Sequence, residues 1–562
     1  MGSSPVQLTA GQVVATEQWQ FTLSLNALPN GKRVQLFVVP LRQNAATESW
    51  HRVQLSLKFA GLSFECIFCN GFQSWSESRE FWPTEVIKPL RSIAKPLMYY
   101  YGDTHFEHIK RGKNWLHSWT YTYFRKAPNQ LLLIGSNQEA NAFTLFQHDL
   151  AHQQVLVERD FEGWTFEQAT PIFDLFIAEG ADRPIFQQWF EQMAIPAPKA
   201  PPMSGWTSWY NYYTDISEAL LQKHIEGFAA RDFPIQIFQI DDGYQTRVGD
   251  WFSIKDSFPN GMRSIAEAIH AKGYKAGLWL APFVCERRSQ LYQAHPDWLL
   301  RDAKGRPVRA GYAPIWSGYF YALDFYHPEV QAYLAEVLHT FVQTWDFDLL
   351  KLDFLYAVCL LPRPDKTRAQ ILHEALHFIR EAVGQETLLL GCGVPLGPSF
   401  GLFDYCRIGA DIHLKWEHRL LTFLRNRERV STILSLRSAL GRWHLSGLAF
   451  QNDPDVFILR QANHQLTPTQ QNTILQVNAL TGHLLFCSDA MEEYTNSQEQ
   501  TYYQGHAHLH AQVQQVEQLS LDVYLIEVQT DGGVQRVLAN LSGEGFEYQG
   551  SYIPAYAVEI IK

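Results

Sequence analysis

The sequence contains no run of about 20 apolar residues, the length that a membrane-spanning helix needs. Its first 20 residues, MGSSPVQLTAGQVVATEQWQ, also lack the basic and apolar regions of a signal peptide. The seven cysteines are an odd number and lack the spacing of a disulfide framework. These absences argue against a membrane protein and against a disulfide-stabilised domain, and we expect a cytoplasmic protein.

Positive charge is also scarce, since 46 Lys and Arg residues face 57 Asp and Glu residues, a net charge of −11. This balance argues against a nucleic-acid partner and favours a partner that is neutral or small. The chain has no Gly-rich phosphate loop, and its candidate metal ligands are incomplete. Cys66 and Cys69 form a single C-x₂-C pair, while His105 and His108 lack a third ligand. We therefore predict no metal and no cofactor, in a monomer or small homo-oligomer.

Aromatic residues are abundant, at 14% of the chain, with 17 Trp, 25 Tyr and 36 Phe. Most of them belong to large cores, for which the 46% of apolar residues suffices. An aromatic face also covers the apolar C–H face of a pyranose, while polar neighbours bind its hydroxyl groups. Composition alone does not decide between these two uses, and the choice depends on the sites.

Hydrophobic periodicity divides the chain into three folded regions of a multidomain α/β protein. Short alternating segments such as KRVQLFVVPLR predict an N-terminal antiparallel β-sandwich over residues 1–195. Four prolines then mark a linker at 196–203. Strand and helix patterns alternate over 204–497 and predict a (β/α)₈ TIM barrel. Alternating segments that begin with HAHLHAQVQQV predict a small C-terminal antiparallel β domain over 498–562.

Unusual residues gather where the predicted barrel strands end. Active sites of such barrels lie at this end, so side chains from several strands are expected to meet there. A purely structural layer of ion pairs is the alternative for any single strand, but six strands carry such residues. They are Asp241, Asp242, Trp279, Lys351, Asp353, Cys392, Arg407, Asp411, Asp453 and Asp455.

Two carboxylates in an aromatic pocket, without cofactor motifs, are typical of glycoside hydrolysis. One must remain ionised as a nucleophile. Lys351 lies on the same strand face as Asp353, and we expect its charge to lower the pKa of that carboxyl. The other must carry a proton near neutral pH, and Asp411, on a loop beyond its strand, is the candidate. The Asp241–Asp242 pair offers several lone pairs to adjacent sugar hydroxyls.

Five motifs, KLDF, IDDGY, GWTSWY, GCGVPLGPSFGLFDYCRIGAD and QNDPD, resemble those of the α-galactosidases of glycoside hydrolase family 36, in clan D. NGFQSWSES, at residues 70–78, is similar to a motif in the N-terminal sandwich of that family. The resemblance covers residues 70–460 in the order of the family. It is closest to the shorter bacterial members, so the tetramers of longer members are not implied. Ala410 stands where many members have proline.

The resemblance implies a retaining double displacement that releases terminal α-galactose from sugars such as melibiose and raffinose. It makes Asp353 the nucleophile and Asp411 the acid/base. Asp241 and Asp242 would bind the 4- and 6-hydroxyls, and Lys351 would bind the sugar too. The other implied substrate-binding residues are Arg407 near the 2-hydroxyl and, around the pocket, Trp75, Trp206, Trp209, Trp279 and Cys392.

Three alternatives remain open at this stage. The enzyme could prefer α-N-acetylgalactosamine, or it could transfer galactose to a sugar as raffinose synthases do. Outside the class, the chain could be a sugar-binding protein without catalysis. This last alternative predicts a neutral residue at position 353 or 411, whereas both residues are Asp.

Overall fold

The computed structural model describes residues 13–16, 18–41, 50–59, 61–166, 168–231, 233–530 and 533–561. They form an antiparallel β-sandwich, a parallel β-barrel surrounded by helices, and a C-terminal antiparallel sheet. This is the fold class that the sequence predicts. Within these ranges, no helix has both the length and the apolar character needed to cross a bilayer.

The N-terminal sandwich consists of two antiparallel sheets that enclose one apolar core. Alternation explains the packing, since Val34, Leu36 and Val38 are buried while residues between them are more exposed. In spatial order, the larger sheet contains Val13–Ala15, Trp19–Leu28, Gly31–Pro40, Thr170–Gly180, Gln130–Ser136, Tyr121–Ala127, Cys66–Cys69 and Arg79–Phe81. The smaller sheet contains Arg52–Lys58, Gln154–Asp160, Thr144–Asp149 and Trp115–Trp119. Two helices, Lys95–Met98 and Asp182–Met193, complete this region.

The barrel is closed by eight strand positions, all paired in parallel. The seventh strand is interrupted at Asp455, whose φ of 82° is left-handed. Its first part pairs with the sixth strand and its second part with the eighth, which closes the sheet. In order, the strands are Met203–Thr207, Ile237–Ile240, Lys275–Leu280, Leu349–Leu352, Leu388–Gly391, Tyr405–Arg407, Gln451–Asp453 with Val456–Phe457, and Leu484–Cys487.

Helices cover the outside of the barrel, and their starts follow sequence signals. Thr367 and Gln370 form a capping box at one helix start, and Thr467 and Gln470 form another. The principal barrel helices are Glu218–Arg231, Gly261–His270, Pro328–His339, Arg368–Val383, Thr432–Gly441 and Pro468–Thr481. Three shorter helices, Trp209–Tyr212, Gln290–Ala294 and Arg419–Leu424, lie in the connections.

An additional three-stranded antiparallel sheet follows the third barrel strand. Its strands are Val284–Glu286, Arg309–Ala313 and Gly318–Ala322, with the last of these in the middle. The hairpin loop between the second and third strands carries Trp316. The periodicity of the sequence does not indicate this insertion, which extends one wall of the barrel mouth.

The C-terminal region begins differently from the predicted strand HAHLHAQVQQV. A helix, Asn496–His506, follows the eighth barrel strand, and a capping box of Thr495 and Gln498 starts it. Tyr502 stacks on Phe457 of the barrel, so this helix packs against the barrel. The terminal strands are Gln512–Ser520, Val523–Thr530, Gly533–Asn540 and Val558–Ile561, with a small hairpin of Phe546–Tyr548 and Ser551–Ile553.

Candidate active site

A cavity of about 450 Å³ opens at the carboxyl ends of the barrel strands. It brings together residues from the sandwich, from five barrel strands or the loops after them, and from the inserted hairpin. Eight of the eleven residues expected at the site line it: Trp75, Trp209, Asp241, Asp242, Trp279, Lys351, Asp353 and Asp411. Their individual roles remain predictions.

Asp353 follows the fourth barrel strand directly and is buried, with 9% exposure. The chain turns sharply there, because Phe354 adopts a left-handed φ of 53°. Its amide donates to Asp353 Oδ1 at 2.9 Å, and the Trp279 indole N–H donates to Oδ2 at 3.1 Å. Burial raises the pKa of Asp353, and the Lys351 charge and the Trp279 hydrogen bond only partly oppose this.

Lys351 forms its ion pair with Asp241, not with Asp353. Its Nζ donates to Asp241 Oδ2 at 2.7 Å, and both side chains are almost completely buried. Burial lowers the pKa of Lys351, but the Asp241 carboxylate and the smaller contributions of other acidic groups, such as Asp353, together outweigh it, and the net shift is upward. The Lys351 charge does lower the pKa of Asp353, as expected, but burial has the larger effect and the net shift of that pKa is upward.

Asp242 also lies at the carboxyl end of the barrel strands, and two side chains donate hydrogen bonds to its carboxylate. Gln245 Nε2 donates to its Oδ1 at 2.6 Å, and the indole N–H of Trp316 donates to Oδ2 at 2.8 Å. Burial raises the pKa of Asp242 to about 6 despite both hydrogen bonds. Asp242 can therefore either accept from a ligand hydroxyl or, when protonated, donate to one.

Arg407 lies behind the cavity and orients Asp411. Its Nη1 donates to Asp411 Oδ1 at 2.6 Å, while Nε and Nη2 reach Asp453 at 2.9 Å and Asp455 at 2.8 Å. Burial raises the pKa of Asp455 to about 7. Arg407 does not line the cavity, whereas the Asp411 side chain is 32% exposed. The guanidinium can thus fix the position of Asp411 without occupying ligand space.

Trp75 reaches the cavity from the sandwich. Its indole N–H points at Cys392 Sγ, 3.2 Å away, so Cys392 supports Trp75 from behind and does not line the cavity. Gly393 is required next to it, because its φ is +58° and an added Cβ would lie 2.9 Å from the Trp75 ring. Buried Arg442 holds the Trp75 turn on the barrel by donating to the carbonyl of Ser74 at 2.6 Å.

Trp206 does not contribute to the cavity. It is fully buried, and its ring lies 5.4 Å from Phe238 and 5.1 Å from His224 on the helix side of the barrel wall. Its N–H donates to the backbone carbonyl of Asp489. The expectation that Trp206 lines the pocket is wrong, because this side chain points outward from its strand into the layer between sheet and helices.

Loops supply several lining residues that the sequence does not reveal. All but Phe354, which follows the fourth barrel strand, come from the sandwich region, the inserted hairpin and the segment after Asp411, three regions far apart in the chain. Trp316 carried a weak signal, since it lies in an aromatic and glycine-containing hairpin, GYAPIWSGYF. The unexpected lining residues are Leu97, Met98, Tyr101, Tyr312, Ala313, Pro314, Ile315, Trp316, Phe354, Leu421, Asn426, Glu428, Arg429 and Val430.

The weak metal candidates lie elsewhere. Cys66 and Cys69 are free, buried thiols of one sandwich strand. His105 bonds the Leu360 carbonyl through Nε2 at 3.0 Å, and neither it nor His108 borders the cavity. Among the described residues, one cluster, Asp297–His327–Glu329, brings possible ligand atoms within 4.8 Å of each other. It is largely exposed and outside the cavity, and we assign it no role.

Comparisons with known proteins point to one family. Residues 203–379 match the family model described as melibiase. α-Galactosidase 2 of Pediococcus pentosaceus is 32% identical over 153 residues, which are 26% of this chain and 20% of that protein. The chain thus aligns with about a fifth of the length of this curated relative.

A solved structure matches almost from end to end. It is TtGalA, an α-galactosidase from Thermus thermophilus in complex with p-nitrophenyl α-D-galactopyranoside. The identity is 27% and the TM-score 0.71, over 92% of this chain and 98% of that chain. The same enzyme in complex with stachyose gives 28% identity and a TM-score of 0.70, over 89% and 99%. Residues 203–379 of the chain are therefore similar to a melibiase domain, and almost the whole chain is similar to the α-galactosidase TtGalA.

Proposed function

We propose that this protein is a retaining, exo-acting α-galactosidase that hydrolyses terminal α-galactosyl residues of melibiose- and raffinose-type oligosaccharides. One observation carries the proposal: Asp353 and Asp411 line a single cavity together with the Lys351–Asp241 ion pair and Asp242. Two carboxylates in one cavity supply a nucleophile and an acid/base. The buried polar groups around them suit the hydroxyl groups of one sugar.

In the first step, Asp353 attacks the anomeric carbon while Asp411 donates a proton to the departing glycosidic oxygen. The C–O bond to the leaving group breaks, and a bond to a carboxylate oxygen of Asp353 forms. Trp279 and the Phe354 amide each donate to one oxygen of that carboxylate, which fixes its orientation for attack. Arg407 supports Asp411 in the same way from behind.

In the second step, Asp411 takes a proton from water, and the water oxygen attacks the same carbon. The bond to Asp353 breaks, and galactose leaves with its original anomeric configuration. Two inversions at one carbon produce this retention. Asp241 and Asp242 would bind the 4- and 6-hydroxyls throughout, which selects a terminal galactose and makes the enzyme exo-acting.

A panel of nitrophenyl glycosides tests the activity on the purified protein. We expect release of nitrophenol from the α-galactoside, with little from the α-glucoside and the β-galactoside. Faster cleavage of the α-N-acetylgalactosaminide would favour that alternative, and transfer of galactose to added sucrose in preference to water would favour the transferase. No turnover of any α-galactoside would contradict the proposal.

We further propose that the enzyme works in the cytoplasm, because all seven cysteines are buried free thiols. Such thiols persist in a reducing compartment. We propose a monomer or small homo-oligomer, which sedimentation equilibrium would establish.

We also propose a division into a sandwich at residues 1–195, a linker at 196–203 and a barrel from 204 onward. The strand Met203–Thr207 and the helix Asn496–His506 support a barrel that runs past 497 to about residue 506. The C-terminal β domain then starts near the strand Gln512–Ser520. Limited proteolysis should cut next to these borders before it cuts inside the elements.

A further inference from the structure

One wall of the cavity has no part in the proposed chemistry. It consists of a loop at residues 426–430, in which Glu428 borders the cavity beside Trp75. Ser76 of the sandwich donates to Glu428 Oε1 at 2.6 Å. Gly102 lies so close that a Cβ added to it would come within 1.9 Å of the same oxygen. Glu428 is therefore held in place from the sandwich side, and its carboxyl group lies at the cavity wall.

No cation neutralises Glu428 among the residues that the structure describes. Its neighbour Arg427 donates to Asp103 at 2.7 Å and to the Glu77 carbonyl at 2.7 Å. Arg429 is bound to Glu417 at 2.8 Å. Burial, with the nearby charge of Asp103, raises the pKa of Glu428 to about 7. The two adjacent guanidinium groups are thus engaged with other partners.

A carboxylate accepts about four hydrogen bonds, and from other side chains Glu428 accepts one. Glu428 is half-buried, and a poorly paired carboxyl group that is partly withdrawn from water costs free energy, so its remaining acceptor sites favour a ligand that brings donors. Hydroxyl groups of a sugar are such donors. An aryl group brings none.

The position of the loop indicates which part of a substrate Glu428 faces. The amide of Ser431 donates to the backbone carbonyl of Asp411 at 2.8 Å, which ties the end of this loop to the proposed acid/base. Asp411 protonates the leaving oxygen, so the wall next to it borders the leaving group. The galactose itself would lie against Asp241 and Asp242, on other strands.

We infer that Glu428 binds hydroxyl groups of a sugar leaving group and thereby selects galactosyl sugars over aryl galactosides. This inference rests on the proposed function and adds a specificity-determining residue to it.

The test compares Glu428→Gln and Glu428→Met with the wild type on melibiose, raffinose and p-nitrophenyl α-galactoside. We expect kcat/KM for the two sugars to fall about tenfold or more in Glu428→Met, the loss typical of a hydrogen bond to a charged group. A smaller fall is expected in Glu428→Gln, which keeps one acceptor oxygen. The nitrophenyl substrate should change less than about threefold, so the ratio between substrate classes falls.

Glu139 offers a matched control. It lies where sandwich and barrel meet, is more buried than Glu428, accepts a hydroxyl hydrogen bond from Thr120 at 3.1 Å, and packs against a glycine of the other region, Gly397. It does not border the cavity. Glu139→Gln should therefore leave the substrate ratio unchanged, whatever its effect on the unfolding midpoint.

Three results would overturn the inference. The first is an unchanged ratio in both Glu428 variants, which would leave Glu428 a structural residue that only anchors its loop. The second is a wild-type enzyme that cleaves the nitrophenyl galactoside but no galactosyl sugar, in which case the proposed glycosidase activity still stands. The third is a wild-type enzyme inactive on every α-galactoside, which removes the proposed function as well.

Discussion

Replacing Lys351 with Met should move the acid limit of activity to higher pH. In the structure, the positive charge of Lys351 opposes the effect of burial on Asp353, so it lowers the pKa of that carboxyl relative to burial alone. Without this charge, the pKa of Asp353 rises further. A nucleophile must be ionised, so at a given acidic pH fewer enzyme molecules are active. If the pKa of Asp353 rises by about 1, kcat/KM falls roughly tenfold at pH values well below that pKa.

The same substitution should also lower the free energy of unfolding, and the burial of the ion pair indicates by how much. Lys351 and Asp241 form a 2.7 Å ion pair with side-chain exposures of 7% and 3%. Removing one partner of such a pair costs about 3–5 kcal/mol, because the other charge stays buried. Asp241 keeps weaker donors, including the Asp242 amide at 2.9 Å and Gln239 at 3.2 Å. We expect a clearly lower unfolding midpoint, which the double variant Lys351→Met/Asp241→Asn should partly restore.

The assay is kcat/KM for p-nitrophenyl α-galactoside between about pH 4 and pH 8, since this ratio reports the titration of the free enzyme. Asp241→Asn is the counterpart, because the Asp241 charge raises the pKa of Asp353. Its acid limb should move to lower pH, whatever the height of the profile. The prediction is contradicted if the acid limb of the pH profile stays in place in Lys351→Met, or if it moves in the same direction in both variants.

Three further predictions concern the carboxylates. Asp353→Gly should lose hydrolysis and, with azide and an activated aryl galactoside, should yield the β-galactosyl azide, whereas Asp411→Gly should yield the α-azide. Proton NMR distinguishes the two anomers. If each variant gave the other anomer, the roles of Asp353 and Asp411 would be exchanged. Asp241→Asn and Asp242→Asn should each lower kcat/KM for the α-galactoside by roughly two to three decades, from about 2–4 kcal/mol of lost binding in the transition state, and undiminished activity would contradict their assignment. Asp353→Asn should unfold at a higher temperature than the wild type near neutral pH. A raised folded-state pKa contributes stability at low pH that is lost as pH rises through it, so calorimetry should find no such gain near pH 3.

The architecture and most of the candidate site can be predicted from the amino-acid pattern of the chain. Period-2 segments predicted the sandwich, and alternating strand and helix patterns predicted the barrel, because burial of one face imposes these periods. Parallel strands in a barrel all end at one rim, so residues that follow them, such as Asp241, Asp353 and Asp411, had to lie near each other. This inference needed the fold class and no long-range contact.

Which side chains face each other depends on the packing of the folded chain. Trp279 and Lys351 are register partners on neighbouring strands and point inward. Trp206 and Phe238 are partners as well, yet they point outward to the helices. Alternation predicts that adjacent side chains of a strand point to opposite faces of the sheet. It does not predict which of them points into the barrel when both faces are buried. For this reason the expectation for Trp206 was wrong.

The sequence also does not predict which side chains pair when they are far apart in the chain. Lys351 lies two residues from Asp353 but pairs with Asp241, which is 110 positions away in the chain. Trp316 and Glu428 reach the cavity from a hairpin and a loop that have no periodic signal. The conformation of a loop, and the contacts that its side chains make, depend on the packing of the whole chain, because non-local contacts fix the position of an irregular segment. Periodic burial is a local property of the chain, whereas the partners of a charged side chain are set only by the folded structure.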